Sequence, residues 1–368
     1  MLVRVKSELR ELPKPEPVPD TAAYDREREK RLQSDNACLA NYNKYLASNK
    51  RSEKVDYLPV KLDIENVSRC NFRCTMCQVS EWEKGKRADD MSFASFKNLI
   101  DEQYGLVEIK LQGMGEPMIQ GDDFFKMIRY ARERHIWVRT VTNASLLHLN
   151  NNFKKIIDSD VNELQVSIDG ADAEIFQAIR KGSVFTKVVE NCKMLNEYCD
   201  QQGVFKTKMW TVVQKQNRHQ LRELVALASE MKFRSMVFSL NLSDWGQNLW
   251  RDRNNAVTDE DVLSTDSAMD LVDFGKSLGV SVAFWNVTSK YNAKSPDRIC
   301  PWPFERSYVS SDMRIVPCCM IANPDVLEIN GDPKGGFTDV WHGDDYSNFR
   351  KSHLDAEIPR ACQNCYED

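Results

Sequence analysis

Three cysteines stand in one short run, Cys70-Asn-Phe-Arg-Cys74-Thr-Met-Cys77, a C-x3-C-x2-C. Three thiolates from a single loop can bind three irons of a cubic iron–sulfur cluster and leave the fourth iron without a protein ligand. An open iron is a chemical site, as an open coordination position is at zinc. A structural zinc loop, or a four-ligand cluster completed by a remote cysteine, satisfies the same spacing. A second group comprises Cys300, Cys318 and a terminal C-x2-C, Cys362 and Cys365. Four thiolates from so small a unit make a fully ligated cluster or a zinc knuckle. Cys319, a spare thiol beside Cys318, is a packing residue or a hydrogen-atom donor. Cys192 and Cys199 share a helix face with Val188 and Leu195, which reads as a core stripe.

The elements that must position these thiols begin near residue 59. The short β-rich runs are 59–65, 106–112, 137–143, 163–169, 208–213 and 236–241, and helical stretches lie between them. Such alternation implies parallel strands joined by right-handed crossovers. Periodicity alone does not choose between an open barrel and a flat doubly wound sheet. Asn217, with Gln220 three residues on, reads as a capping box for the helix HQLRELVALASEMK. Residues 1–58 read as an N-terminal extension, partly helical. Pro13, Pro15, Pro17 and Pro19 favour an extended strip there, and a charged segment from Thr21 to Lys50 reads as a solvated helical brace. Residues 59–270 form the main α/β unit and 271–368 a smaller C-terminal one. Within the latter, 280–286 is its first strand, 307–316 a hairpin turning at Ser311-Asp312, and DVWHGDDYSNFRKSHL a helix. Asp339-Val340-Trp341 is expected to anchor that last helix to the hairpin.

Composition excludes other classes. The 368 residues are 42% hydrophobic and 29% charged, with a net charge of -5, an ordinary globular balance. No apolar run approaches the roughly 18 residues of a membrane helix, and the first 20 residues lack a signal-peptide core. The expectation is a cytoplasmic protein with no membrane partner. The eleven clustered cysteines then mean metal rather than disulfides. The acidic balance disfavours a nucleic-acid partner.

The first cysteine run and the motifs after it resemble the radical S-adenosylmethionine (radical SAM) superfamily, over about residues 59–245. Gly113-Met114-Gly115-Glu116-Pro117 looks like the family's Gly-Gly-Glu-Pro segment, with Met114 in place of a glycine. Thr142-Asn143-Ala144, Ser167-Ile-Asp169 and Ile-Arg180-Lys-Gly fall in family order at successive strand ends. The resemblance implies a partial (β/α)6 barrel in the α/β class. It implies cluster ligation by Cys70, Cys74 and Cys77, and SAM contacts from Met76, Gly115, Glu116, Asn143, Ser167, Asp169 and Arg180. Arg180 would pair with the SAM carboxylate, for which a guanidinium fork is well shaped.

Cys300, Cys318, Cys362 and Cys365 resemble the ligands of the small α+β "twitch" domain, a truncated SPASM domain holding one auxiliary [4Fe–4S] cluster. Two departures stand out: Asp312-Met313 where Asp-Gly is usual, and the extra Cys319. The cofactors implied are SAM and two [4Fe–4S] clusters, with an external electron donor such as flavodoxin or ferredoxin. The four-cysteine spacing is similar to that of 2-deoxy-scyllo-inosamine dehydrogenase. That similarity implies a 5′-deoxyadenosyl radical that takes a hydrogen atom from a substrate carbon, with an electron passing to the auxiliary cluster. The oxidation of a carbohydrate or cyclitol secondary alcohol is therefore expected of a small-molecule substrate. The alternatives are a SPASM-type maturase of a ribosomally made peptide and a radical SAM epimerase using Cys319 or Cys199. Catalytic residues are not fixed by the sequence; Glu305, Arg306 and Asp244 are polar groups near the second cysteine group.

Overall fold

The computed structural model describes residues 21–48, 52–83, 89–240, 242, 244–257, 263–285, 291–295, 298–331 and 336–366. The proline strip at 13–19 lies outside them. The six expected strands are all present: β1 (Lys61–Ile64), β3 (Glu108–Leu111), β4 (Trp137–Thr142), β5 (Glu163–Ser167), β7 (Thr207–Val212) and β8 (Ser235–Ser239). Two short strands, β2 (Arg73–Cys74) and β6 (Arg180–Lys181), form a separate ribbon. β9 (Ser281–Trp285), β10 (Arg306–Val309) and β11 (Ile315–Val316) follow.

The nine-stranded sheet has the order β11-β10-β1-β3-β4-β5-β7-β8-β9, and every neighbouring pair is parallel except β10 with β11. The C-terminal strands therefore do not build a sheet of their own. β9 extends one edge of the main sheet beside β8, and the expected hairpin β10–β11 extends the other beside β1.

Alternation along the central strands separates two environments. Ile109, Leu111, Val138, Leu164, Val166, Met209, Met236 and Phe238 are buried against the crossover helices. The opposite face carries Asp63, Lys110, Arg139, Gln165 and Trp210, where Lys110, Arg139, Val141, Trp210 and Val212 remain partly accessible in mid-strand. That face lines an interior that solvent reaches, as in an open barrel. Helix Phe185–Gln202 ends at Gly203, left-handed at φ 65°, as a C-terminal glycine allows. Cys192, Cys199, Val188 and Leu195 are buried in the core, as the stripe predicts.

Three local readings are corrected. Asn217 does not cap a helix: its amide donates to Asp169 O and Val212 O, and its Oδ1 accepts from Gln214 N. The last helix is two, Phe337–His342 and Asp344–Leu354, broken at Gly343. The Trp341 indole donates to Tyr57 O, ahead of β1, and not to the hairpin.

The N-terminal helices Thr21–Ser34 and Asn36–Ala47 are more than a solvated brace. Arg31 is buried and donates to Leu106 O and Tyr104 O. Tyr24 reaches Glu108 at 3.0 Å. Glu108 also receives Arg139 at 2.9 Å, Arg306 at 3.4 Å and Lys61 at 3.9 Å. Burial opposes its charge, but these cations hold its carboxyl down to about 2. The extension thus closes the foot of the barrel with an ion network.

Candidate cluster and SAM site

The loop after β1 carries the first cysteine group. Its far end is clamped by the β2–β6 ribbon, which sets Cys74 opposite Arg180 and Arg73 opposite Lys181. Thr75 N donates to Ile179 O, and Ser80 Oγ donates to Cys74 O. The near end crosses Gly115: Gly115 N donates to Val67 O and Glu116 N to Arg69 O. A Cβ on Gly115 would collide with both carbonyls, so only glycine admits the loop there.

Donors are aimed at the sulfurs. Phe72 N lies 3.4 Å and Asn143 Nδ2 3.9 Å from Cys70 Sγ, and Arg180 Nη1 lies 4.0 Å from Cys74 Sγ. Burial pushes the Cys70 and Cys77 thiols up to about 12. Neutral thiols are favoured until a metal centre takes the charge of the thiolate. Three half-buried sulfurs in one loop with donors trained on them fit the ligand set of a cluster with one open corner.

The strand-end residues fall around this loop. Asn143 accepts from Ser145 and donates to Asn71, holding the loop. Ser167 closes β5 on the inner face, partly accessible beside Trp210. Met76 O receives the Trp245 indole at 3.3 Å. The Glu116 side chain turns to protein donors: Thr142 Oγ1 at 2.7 Å, Asn143 N at 2.7 Å and Met118 N at 3.4 Å. Burial outweighs those bonds and lifts its carboxyl to about 7. Arg180 meets Asp169 and not open space, while Asp169 also accepts from Val212 N.

One residue escaped sequence reasoning. Gln214 is fully buried, and among the described residues neither its Oε1 nor its Nε2 has a partner. It continues the inner-face parity of Trp210 and Val212 just past β7, which is the signal that could have found it. A buried amide without partners is costly, so Gln214 fits a polar ligand at these strand ends.

The second cysteine group gathers from three segments. Cys318 lies within electrostatic range of Cys300, Cys362 and Cys365. Burial lifts the Cys300, Cys318 and Cys362 thiols, Cys362 to about 12. Tyr366 Oη receives Cys300 N at 3.0 Å and faces His353 Nδ1 at 3.1 Å. Cys319 lies beside Asp63, Lys110 and Arg306 on the inner face of the sheet. Met313 sits left-handed at φ 65°, where the usual glycine would be relaxed.

Among the described residues, no group of three or more His, Cys, Asp or Glu is arranged for a single metal ion. The ligands of a cubic cluster stand at its outer corners, farther apart than those of one ion. The two cysteine groups share one apolar cluster: Val79, Met114, Tyr308, Val316, Ile321 and Ala322, with Cys70, Cys77, Cys318 and Cys319 packed against it. Glu65 ties the same region together, accepting from Met114 N at 2.9 Å and Ser311 N at 3.0 Å.

The other polar groups near the second cysteines are engaged. Glu305 accepts from Tyr45 at 2.7 Å, Arg306 sits in the foot network, and Asp244 accepts from Asn364 between Cys362 and Cys365. No helix among the described residues is long and apolar enough to cross a membrane.

Comparison with known proteins agrees with this architecture. The radical SAM superfamily model matches residues 66–228, and the SPASM iron–sulfur cluster-binding model matches residues 300–366. The chain therefore carries a radical SAM domain followed by a SPASM domain, with SAM and [4Fe–4S] clusters as their cofactors. It is similar to mycofactocin maturase MftC of Mycolicibacterium smegmatis, 31% identical over 198 residues, or 53% of this chain and 48% of that relative. The Mycobacterium tuberculosis MftC is 29% identical over 236 residues, 60% of this chain and 57% of the relative. The matched region thus spans about half the length of these relatives. The fold is shared with Streptococcus suis SuiB bound to precursor peptide SuiA: TM-score 0.63, 19% identity, covering 84% of this chain and 70% of that one.

Proposed function

We propose that this protein is a radical SAM maturase that modifies a peptide at an unactivated carbon. The observation that carries the reading is the shared apolar cluster between the two cysteine groups, in a chain similar to mycofactocin maturases and sharing its fold with SuiB, which binds a precursor peptide. That similarity favours a peptide over the carbohydrate or cyclitol alcohol expected from cysteine spacing. An epimerase using Cys199 is disfavoured, because Cys199 is buried in the helical core.

When bound, SAM and its cluster supply a 5′-deoxyadenosyl radical that removes a hydrogen atom from substrate. The chain's own residues do the rest. Cys70, Cys74 and Cys77 hold the cluster, with Asn143, Phe72 N and Arg180 steadying the sulfurs. Met76, Gly115, Ser167, Asp169, Asn143 and Gln214 bound the place for SAM, and Glu116 braces it from behind. Cys300, Cys318, Cys362 and Cys365 hold one auxiliary cluster, as in a twitch domain. The apolar cluster excludes water between the two groups, which protects a radical from quenching. An external donor such as flavodoxin or ferredoxin supplies electrons.

The test is anaerobic turnover of reconstituted protein with SAM, a reductant and synthetic peptides from short reading frames beside the gene. The expected result is 5′-deoxyadenosine formation that rises with one peptide, together with a mass change in that peptide. Turnover on cyclitols but on none of the peptides would reverse the assignment.

A further inference from the structure

Five basic side chains lie on the inner face of the sheet near its foot: Lys61, Lys110, Arg139, Lys208 and Arg306. Four have carboxylates. Lys61 lies 3.9 Å from Glu108 and 3.7 Å from Glu305, and Arg139 lies 2.9 Å from Glu108. Lys208 lies 3.3 Å from Glu163, and Arg306 lies 3.3 Å from Asp63. Among the described residues, the Lys110 side chain alone of these five has neither an ion pair nor a hydrogen bond. The register sets it beside Asp63 and Arg139, but both are committed. Asp63 turns to Arg306 and the Cys319 thiol, and Arg139 turns to Glu108.

The position of this ammonium is as informative as its lack of a partner. Lys110 is in mid-strand, flanked by the buried Ile109 and Leu111, yet remains partly accessible. The access is therefore from the barrel interior. Cys319 is near enough to feel its charge and adjoins Cys318 of the second cysteine group. With Asp63 held by Arg306 and Glu108 held by Arg139, the Lys110 ammonium is an uncompensated cation in a confined interior, which raises the potential there and attracts an anion.

We propose that Lys110 is a substrate-anchoring residue that binds a carboxylate of the peptide beside the second cysteine group. This rests on the peptide reading above and adds a chemical class: a peptide bearing an acidic side chain or a free C-terminus near the modified residue. No bond is made or broken at Lys110; it contributes one charge-assisted hydrogen bond, a stronger kind than a neutral one.

The test measures binding to reconstituted, SAM-loaded protein, without turnover, by calorimetry and ligand-observed NMR. The probes are acetyl-Ala-Glu-Ala-amide, acetyl-Ala-Ala-Ala with a free carboxylate, and acetyl-Ala-Gln-Ala-amide. At least one acidic probe should bind about tenfold more tightly than the neutral one. Lys110→Met should erase that preference, and Lys110→Arg should restore most of it. Which acidic probe wins distinguishes a side-chain carboxylate from a C-terminal one. Iron content and melting temperature of the variants show that the fold is intact. Equal binding of all three probes, absence of binding at millimolar concentration, or a preference that survives in Lys110→Met would overturn the proposal. Acid-selective binding without turnover on any peptide would instead count against the maturase reading and leave the anion site standing.

Discussion

Arg180 and Asp169 form an ion pair of 2.6 Å with the carboxylate fully buried and the guanidinium almost so. The pair joins the end of β5 to the ribbon that holds Cys74. Desolvation alone would push both groups toward neutrality; Asp169 more than offsets it for Arg180, whose affinity for its proton is raised, while burial outweighs the guanidinium's pull and leaves the Asp169 carboxyl raised.

Asp169→Asn leaves a buried guanidinium without its counter-charge. The expected loss is about 3–5 kcal/mol of stability, read as a fall in denaturant midpoint. Adding Arg180→Met should recover part of it, because the stranded charge is gone. Additive losses in the double variant would show that the two residues act independently.

Glu116 predicts a pH dependence. Its folded carboxyl is raised to about 7, so between the unfolded value and that point the native state holds the extra proton. Stability from this site is therefore complete below the unfolded value and declines as pH rises toward 7. Glu116→Gln should flatten that decline, because its Oε1 can accept from Asn143 N while its Nε2 donates to Thr142 Oγ1. Unfolding curves at pH 5, 6, 7 and 8 would measure it; parallel slopes in both proteins contradict the assignment.

Cys318 and Cys319 are neighbours with opposite expected outcomes. Reconstituted protein should hold about eight irons, four for each cluster. Cys318→Ala should lose about four of them, and Cys319→Ala should lose none, since its side chain faces Asp63. Iron analysis with electron paramagnetic resonance of the reduced protein separates the two. Equal losses would mean that Cys319 is a ligand.

Met313 offers a stabilising change. An L-residue in the left-handed region costs about 1–2 kcal/mol, and glycine returns about 0.5–1 through its freer unfolded chain. Met313→Gly should therefore raise stability by up to about 1 kcal/mol, seen as a higher melting temperature. The side chain is 42% exposed, so little packing is lost.

Much of this was legible in the chain because the signals were local. Six β-rich runs became six strands, and the cysteine spacings marked out the two groups of thiols that the fold brings together. What stayed hidden depended on partners far away in sequence. Nothing near 281–285 or 306–309 says that these strands will join β8 and β1. Asn217 looked like a cap because its real partners, Asp169 and Val212, are brought to it only by the sheet. Lys110 and Gln214 stand out only once the inner face exists and their neighbours are seen to be spoken for.

The pairing of β10 with β1 has a last consequence. One strand leads into the first cysteine loop, and the other lies between Cys300 and Cys318, with four residues of each in register. The loop of Cys70, Cys74 and Cys77 and the segment from Cys300 to Cys318 are therefore tied together by the backbone hydrogen bonds of one sheet and not joined through a hinge.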